Sequence, residues 1–215
     1  MAQDWLVGPD RGDSARERLY TIAGDLLAER GIDRFDINDL VARAHCSRAT
    51  IYRHTGGKKR LVEAVFLRIA TRITATVRRA VDESTGVDRA RTAFALALRE
   101  IRADPVARQF PRSHNAPGGA RIAVDSPAVS AIAAELVGLD PADTVRTSLA
   151  VRSFLALLLW PPSDPTDEPR LIDALARGLL AAEDRASNPS RRQADGLATR
   201  STAAGWPTTV RFGNP

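Results

Sequence analysis

The apolar positions Leu19, Ile22, Ala23, Leu26 and Leu27 recur at i, i+3, i+4, i+7 and i+8, which predicts a helix of about four turns with one buried face. Ser14 with Glu17 three residues on reads as its capping box, and Gly31 as its stop. Ile37, Leu40, Val41 and Ala44 give a second, shorter inner face, with Asp36 as N-cap and Asp39 near the positive helix end. His45 and Cys46 form a turn, and Ser47 caps a third helix in which the pattern changes. Between Ser47 and His54 only Ile51 is a burial-type position; Arg48, Thr50, Tyr52, Arg53 and His54 make the rest of the surface polar. Gly56-Gly57 ends that helix. From Lys58, the series Leu61, Val62, Val65, Phe66, Ile69, Ile73 and Val77 holds a helical period for about six turns, a rod of about 30 Å.

Beyond Asp82 the helical patterns continue with less individual character. Residues 88–102 are amphipathic through Ala90, Phe94, Ala97, Leu98 and Ile101, and Asp104-Pro105 reads as the start of a short helix. Residues 111–120 read as a loop. Pro127 opens a helix stopped at Gly138, and Asp140-Pro141 opens another over 142–160 whose second half is apolar on every side, as in a helix buried on more than one face. Pro161-Pro162 ends it, and a last helix runs over 169–184. No stretch alternates in the manner of a β-strand. The expectation is an all-α chain: an arm over 1–13, a three-helix domain over 14–57, a larger helical domain over 58–185 entered through the long fourth helix, and a polar tail over 186–215 with Trp206 and Phe212 as its large side chains.

Charge and composition narrow the partners. The 215-residue chain carries a net charge of +5, and between Arg43 and Arg79 ten basic residues are opposed by Glu63 alone. Such a local excess suits phosphates. The single cysteine, Cys46, excludes an internal disulfide framework or a cysteine-rich zinc site, and His45, His54 and His114 lack metal-ligand spacing. No cofactor is expected. The longest apolar run, 154–160, is far short of a membrane span, and the N-terminus has no secretory pattern, so a cytoplasmic protein is expected. No Gly-rich phosphate loop, serine elbow or triad points to an enzyme.

Two short helices joined by a tight turn, the second polar and cationic, form a helix-turn-helix, whose second helix enters a major groove of double-stranded DNA. The candidate DNA-contacting residues are Asn38, Ser47, Arg48, Ala49, Thr50, Tyr52, Arg53, His54 and Lys58. Arg48, in the first turn of the recognition helix, can fork onto guanine O6 and N7, and the Ala49 methyl can meet a thymine methyl. Thr50 can bond a base edge or a phosphate. Tyr52 and His54 can donate to phosphates, and Lys58 adds a cation at a helix N-terminus. For each of these a solvated helix surface is the competing reading.

The stretch LLAERGIDRFDINDLVARAHCSRATIYRHTGGKKRLVEAV resembles the TetR family of bacterial transcriptional repressors, with Gly31, Ile37, Leu40, Val41, Ala44, Ser47, Thr50, Tyr52, His54 and Lys58 in register. The resemblance covers about residues 14–80. It implies a homodimer paired through its last two long helices, a near-palindromic operator, and an all-helical C-terminal domain that binds a small effector. Phe94, Leu98, Phe110, His114, Phe154, Leu158 and Trp160 are the candidate effector-binding residues, although such stripes more often form core. Two positions depart from the family: His45 stands where Gly usually makes the turn, and Thr55 where Phe usually seats the recognition helix. The alternative class is a helical small-molecule-binding protein without sequence-specific DNA binding.

Overall fold

The computed structural model describes residues 9–187, with side chains over 12–181; among them every regular element is helical. The order is α1 (Pro9–Arg30), α2 (Ile37–Ala44), α3 (Arg48–Thr55), α4 (Lys58–Val81), α5 (Gly86–Ala103), a 3₁₀ segment (Ala107–Arg112), α6 (Ala116–Asp125), α7 (Pro127–Val137), α8 (Thr144–Leu159), a short 3₁₀ turn (Pro165–Asp167) and α9 (Glu168–Ser187). Residues 1–8 of the expected arm and 188–215 of the expected tail lie outside the described residues. No helix described is long and apolar enough to cross a membrane.

Most local signals act as read. Gly31 takes φ +79° and its N–H closes on the Leu27 carbonyl at 2.9 Å. The Asp36 carboxylate accepts from the Asn38 N–H at 2.9 Å, and Asp104 accepts from the Val106 and Ala107 N–H groups at 2.8 and 2.7 Å. Pro127 opens α7, and Gly138 at φ +80° ends it.

Four local readings change. The first helix begins at Pro9, five residues before Ser14, so Ser14 and Glu17 sit inside it and form no capping box. Proline at the first turn loses no intrahelical bond there, which is why the helix extends backward past a plausible cap. Glu17 instead pairs with Arg68 of α4. The expected loop over 111–120 contains the start of α6, because Pro117 falls in the helix's first turn, where its missing N–H costs nothing. Gly119 lies within that turn because a Cβ there would come 2.6 Å from the Phe110 ring. Asp140 caps a turn, and Asp143 is the residue that caps α8. The last helix runs through Ser187, so its end overlaps the expected tail.

Around α1 the core consists of Leu19, Ala23, Leu26, Leu27, Phe35, Ile37, Leu40, Ala44, Ile51, Leu61 and Val65. Phe35 stands in the turn before α2, outside any helical period, and is among the largest side chains fully buried. The twelfth member is Val106, contributed by the segment that follows α5. That segment forms a strap across the first three-helix unit. Its Asp104 pairs with Arg72, the Gln109 side-chain amide donates to the Ala28 carbonyl at 3.3 Å, and Asp33 accepts from Ser113 Oγ at 2.9 Å and from the His114 N–H at 3.1 Å. His114 Nδ1 lies 2.9 Å from the same carboxylate. Beyond the strap, α5 packs on α4, α7 and α8, and α6 lies against α7 and α8.

Val106→Ala should therefore weaken the first core rather than the second, costing about 1–3 kcal/mol of stability in denaturant unfolding, with faster amide exchange in α1 than in α7. Bonds from His114 and Ser113 hold the Asp33 carboxyl below its ordinary value. A depressed folded pKa stabilises the fold above the unfolded value and loses that contribution as pH falls through the folded one. The strap should accordingly loosen below about pH 4, and Asp33→Asn should remove that part of the acid dependence in a pH series of thermal melts.

Candidate nucleic-acid interface

Eight residues, about two turns, are too few for a helix to stand alone in water, and α3 is held by its surroundings. At its start the Ser47 hydroxyl accepts from the Thr50 N–H at 3.1 Å and lies 2.9 Å from Thr50 Oγ1. At its end Gly56, at φ +73°, donates its N–H to the Tyr52 carbonyl at 2.8 Å. Arg16 of α1 donates through Nε to the His54 carbonyl at 3.2 Å, which places a cation at the negative end of the helix dipole. On the inner side Ile51 is fully buried among α1 and α4.

The two departures noted in the sequence resolve differently. His45 takes φ 52° and ψ 42°, and is the non-glycine residue with positive φ among those described, so the turn is made at a conformational cost. Thr55 is buried, yet its hydroxyl is satisfied: it donates to the Ile51 carbonyl at 2.8 Å and accepts from the Gly57 N–H at 3.4 Å. A polar residue thus seats the helix end by closing its own hydrogen bonds.

Outward, Arg48, Ala49, Tyr52 and Arg53 are exposed, together with Ser47, Asn38 and Lys58; Thr50 and His54 are half-buried. The guanidinium of Arg48 lies 5.7 Å from the Tyr52 ring centre, and Lys58 Nζ lies 5.9 Å from that of Phe35. His54 Nε2 is enclosed with no hydrogen-bond partner, so that nitrogen is not presented to a phosphate.

The basic excess is redistributed in space. Arg43 pairs with Glu29 at 2.8 Å, Arg68 with Glu17, Arg72 with Asp104, and Arg78 with Glu135, through Nη2, at 2.8 Å. Each of those guanidiniums is half exposed, so the pairs add little stability, but they neutralise charge locally. The ten-to-one imbalance of the sequence therefore narrows to a cationic surface around Arg48, Arg53, Lys58 and Arg60.

The seven candidate effector-binding residues stand in different surroundings. Phe94 and Phe154 meet with ring centres 6.1 Å apart, Leu98 and Leu158 are buried core, and Phe110 covers Gly119. Trp160 is 72% exposed, because α8 ends one residue before it and turns it outward. His114 lines a hollow of about 570 Å³ shared with Ile32, Lys58 and Val62, on the DNA-binding side of the strap. Thr147 was not singled out by the sequence. On the inner face of α8 it is 3% exposed, and its hydroxyl has no hydrogen-bond partner; a threonine among apolar residues carries no sequence signal of that state.

The fold and this surface define a helix-turn-helix DNA-binding protein. Residues 21–65 match the family model described as bacterial regulatory proteins, tetR family. Two Mycobacterium tuberculosis proteins (strains CDC 1551 / Oshkosh and ATCC 25618 / H37Rv), described as HTH-type transcriptional regulators, are each 28% identical over 175 residues, covering 79% of this chain and 86% of theirs. The DNA-binding transcriptional repressor TetR of Mycobacteroides abscessus is 37% identical over 54 residues, 25% of this chain and 28% of that protein. Over residues 21–65 the chain is thus similar to the helix-turn-helix domain of TetR-family transcriptional regulators, and over most of its length to proteins described as HTH-type transcriptional regulators.

Thr55→Val keeps the shape and removes the hydroxyl. It should cost about 1–2 kcal/mol in denaturant unfolding and weaken duplex binding for all sequences alike.

Proposed function

We propose that the chain is a homodimeric repressor whose two copies of α3 occupy successive major grooves of a near-palindromic operator, and which a small effector releases. The observation that carries this reading is the construction of α3: capped at both ends, seated by Ile51 and Thr55, and largely polar on its outer face. Arg48 would read a guanine edge, with Ala49 and Thr50 beside it. Ser47, Arg53, Asn38 and Lys58 would hold the phosphates. A cytoplasmic location follows from that role.

Dimerisation is supported by the outer side of α8 and α9. Val145 is 77% exposed, and Leu149, Trp160 and Leu171 are also open to solvent, large apolar side chains that a single copy leaves uncovered. A second copy of this face would cover them. Control is supported by the strap: Val106, Gln109, Ser113 and His114 join the effector-side helices to α1 and its following turn. An effector seated near Phe94, Phe154 and the unpartnered Thr147 hydroxyl would act by binding one arrangement of those helices more tightly than another.

Duplex binding should fall steeply with salt. Arg48→Ala should cost about 1–3 kcal/mol on a selected operator and relax one base preference, whereas Lys58→Ala should weaken all sequences alike; titrations of both variants on selected and scrambled duplexes decide the point. Val145→Asp with Leu149→Asp should turn a dimer into a monomer in light scattering, and a wild-type monomer at micromolar concentration would exclude the paired-groove reading.

A further inference from the structure

Arg48 begins the recognition helix and Tyr52 follows it by four residues, so the two side chains share one face. The ring of Tyr52 is exposed on one side and backed on the other. It lies against the backbone of Gly57, where a Cβ would come 2.9 Å from Cε1 and 3.3 Å from Cδ1. Gly57 itself is buried and holds φ 98° with ψ −179°, a backbone state open essentially only to glycine. The neighbouring Gly56 N–H is bonded to the Tyr52 carbonyl at 2.8 Å. The glycine pair that closes α3 therefore also fixes where the aromatic ring stands.

Over that ring, at 5.7 Å from its centre, is the Arg48 guanidinium. Arg43, Arg68, Arg72 and Arg78 are each steered by a carboxylate. Arg48 has an aromatic face instead. A carboxylate would compete with a base edge for the same N–H donors. A π-face attracts the cation and leaves its donors directed elsewhere. From this geometry we infer that Tyr52 is a positioning residue for sequence reading: its ring, held by Gly57, orients Arg48 toward the base edge. The chemistry of the residue alone allows a different role, a hydroxyl donating to a phosphate. The inference rests on the proposed base-reading role of Arg48.

Three variants of the full-length chain separate the ring from the hydroxyl, with base preferences read by selection from a random duplex library and by titration of the recovered sites. Tyr52→Phe keeps the aromatic face and removes the hydroxyl; it should leave discrimination at the Arg48-dependent base unchanged within about two-fold. Tyr52→Leu keeps apolar packing on Gly57 and removes the face; it should lower that discrimination by about two- to five-fold, the range expected of an exposed cation–π contact. In an Arg48→Ala background Tyr52→Leu should change base discrimination no further. Far-UV circular dichroism and thermal melts establish that the helix is intact in each. Equal, sequence-independent losses for Tyr52→Phe and Tyr52→Leu would overturn the inference in favour of a phosphate-bonding hydroxyl. Unchanged discrimination in Tyr52→Leu, with Arg48→Ala relaxing it, would overturn the positioning role alone. If Arg48→Ala itself relaxes no preference, the base-reading role falls and the positioning role with it.

Discussion

A helix whose outer face must stay polar for DNA has little apolar surface with which to hold itself in place. In α3 that constraint is met by one fully buried residue, Ile51, and by a buried Thr55 that returns its hydroxyl to the helix's own backbone. Everything around it answers the same need. Ser47 and Gly56 close the ends, Arg16 binds the final carbonyl, and the core of α1 and α4 receives Ile51. The short turn before it is tight enough to force His45 into the left-handed region, a cost absorbed by the packing of Ala44 and Cys46 on either side.

Charge is organised around the same helix. A run of basic residues in sequence implies a broad positive band, but long arginine side chains reach across neighbouring helices. Arg68 bends to α1, Arg72 to the strap, and Arg78 to α7, each meeting a carboxylate. These pairs tie α4 to its neighbours along its length while the cations at its N-terminus and on α3 stay open. One rod thus serves as a structural brace at one end and as open cationic surface at the other.

The expected division into a three-helix unit and a larger helical unit is less sharp in the structure than along the chain. Val106 lies past α5, yet it is buried in the core around α1. Asp33, in the turn that follows α1, binds Ser113 and His114 from the far side of the strap. Movement of α5 or α6 would be felt at α1 directly, through packed and hydrogen-bonded groups, and not only through the length of α4.

Caps, stops and periods are local, and they were legible: Asp36, Ser47 and Asp104 cap where their neighbours' N–H groups require it, and Gly31 and Gly138 stop helices by tolerating positive φ. The helix-turn-helix and the likeness to the TetR family follow from the same local signals. Where two local signals competed, as at Pro9 against Ser14 or Pro117 within a glycine-rich stretch, the sequence alone did not rank them. Only the tertiary structure could decide which arginines are neutralised, that Phe35 and Val106 complete the core, that Thr55 is satisfied, and that Trp160 faces outward. These depend on distances between residues far apart in the chain, which helical periodicity does not encode.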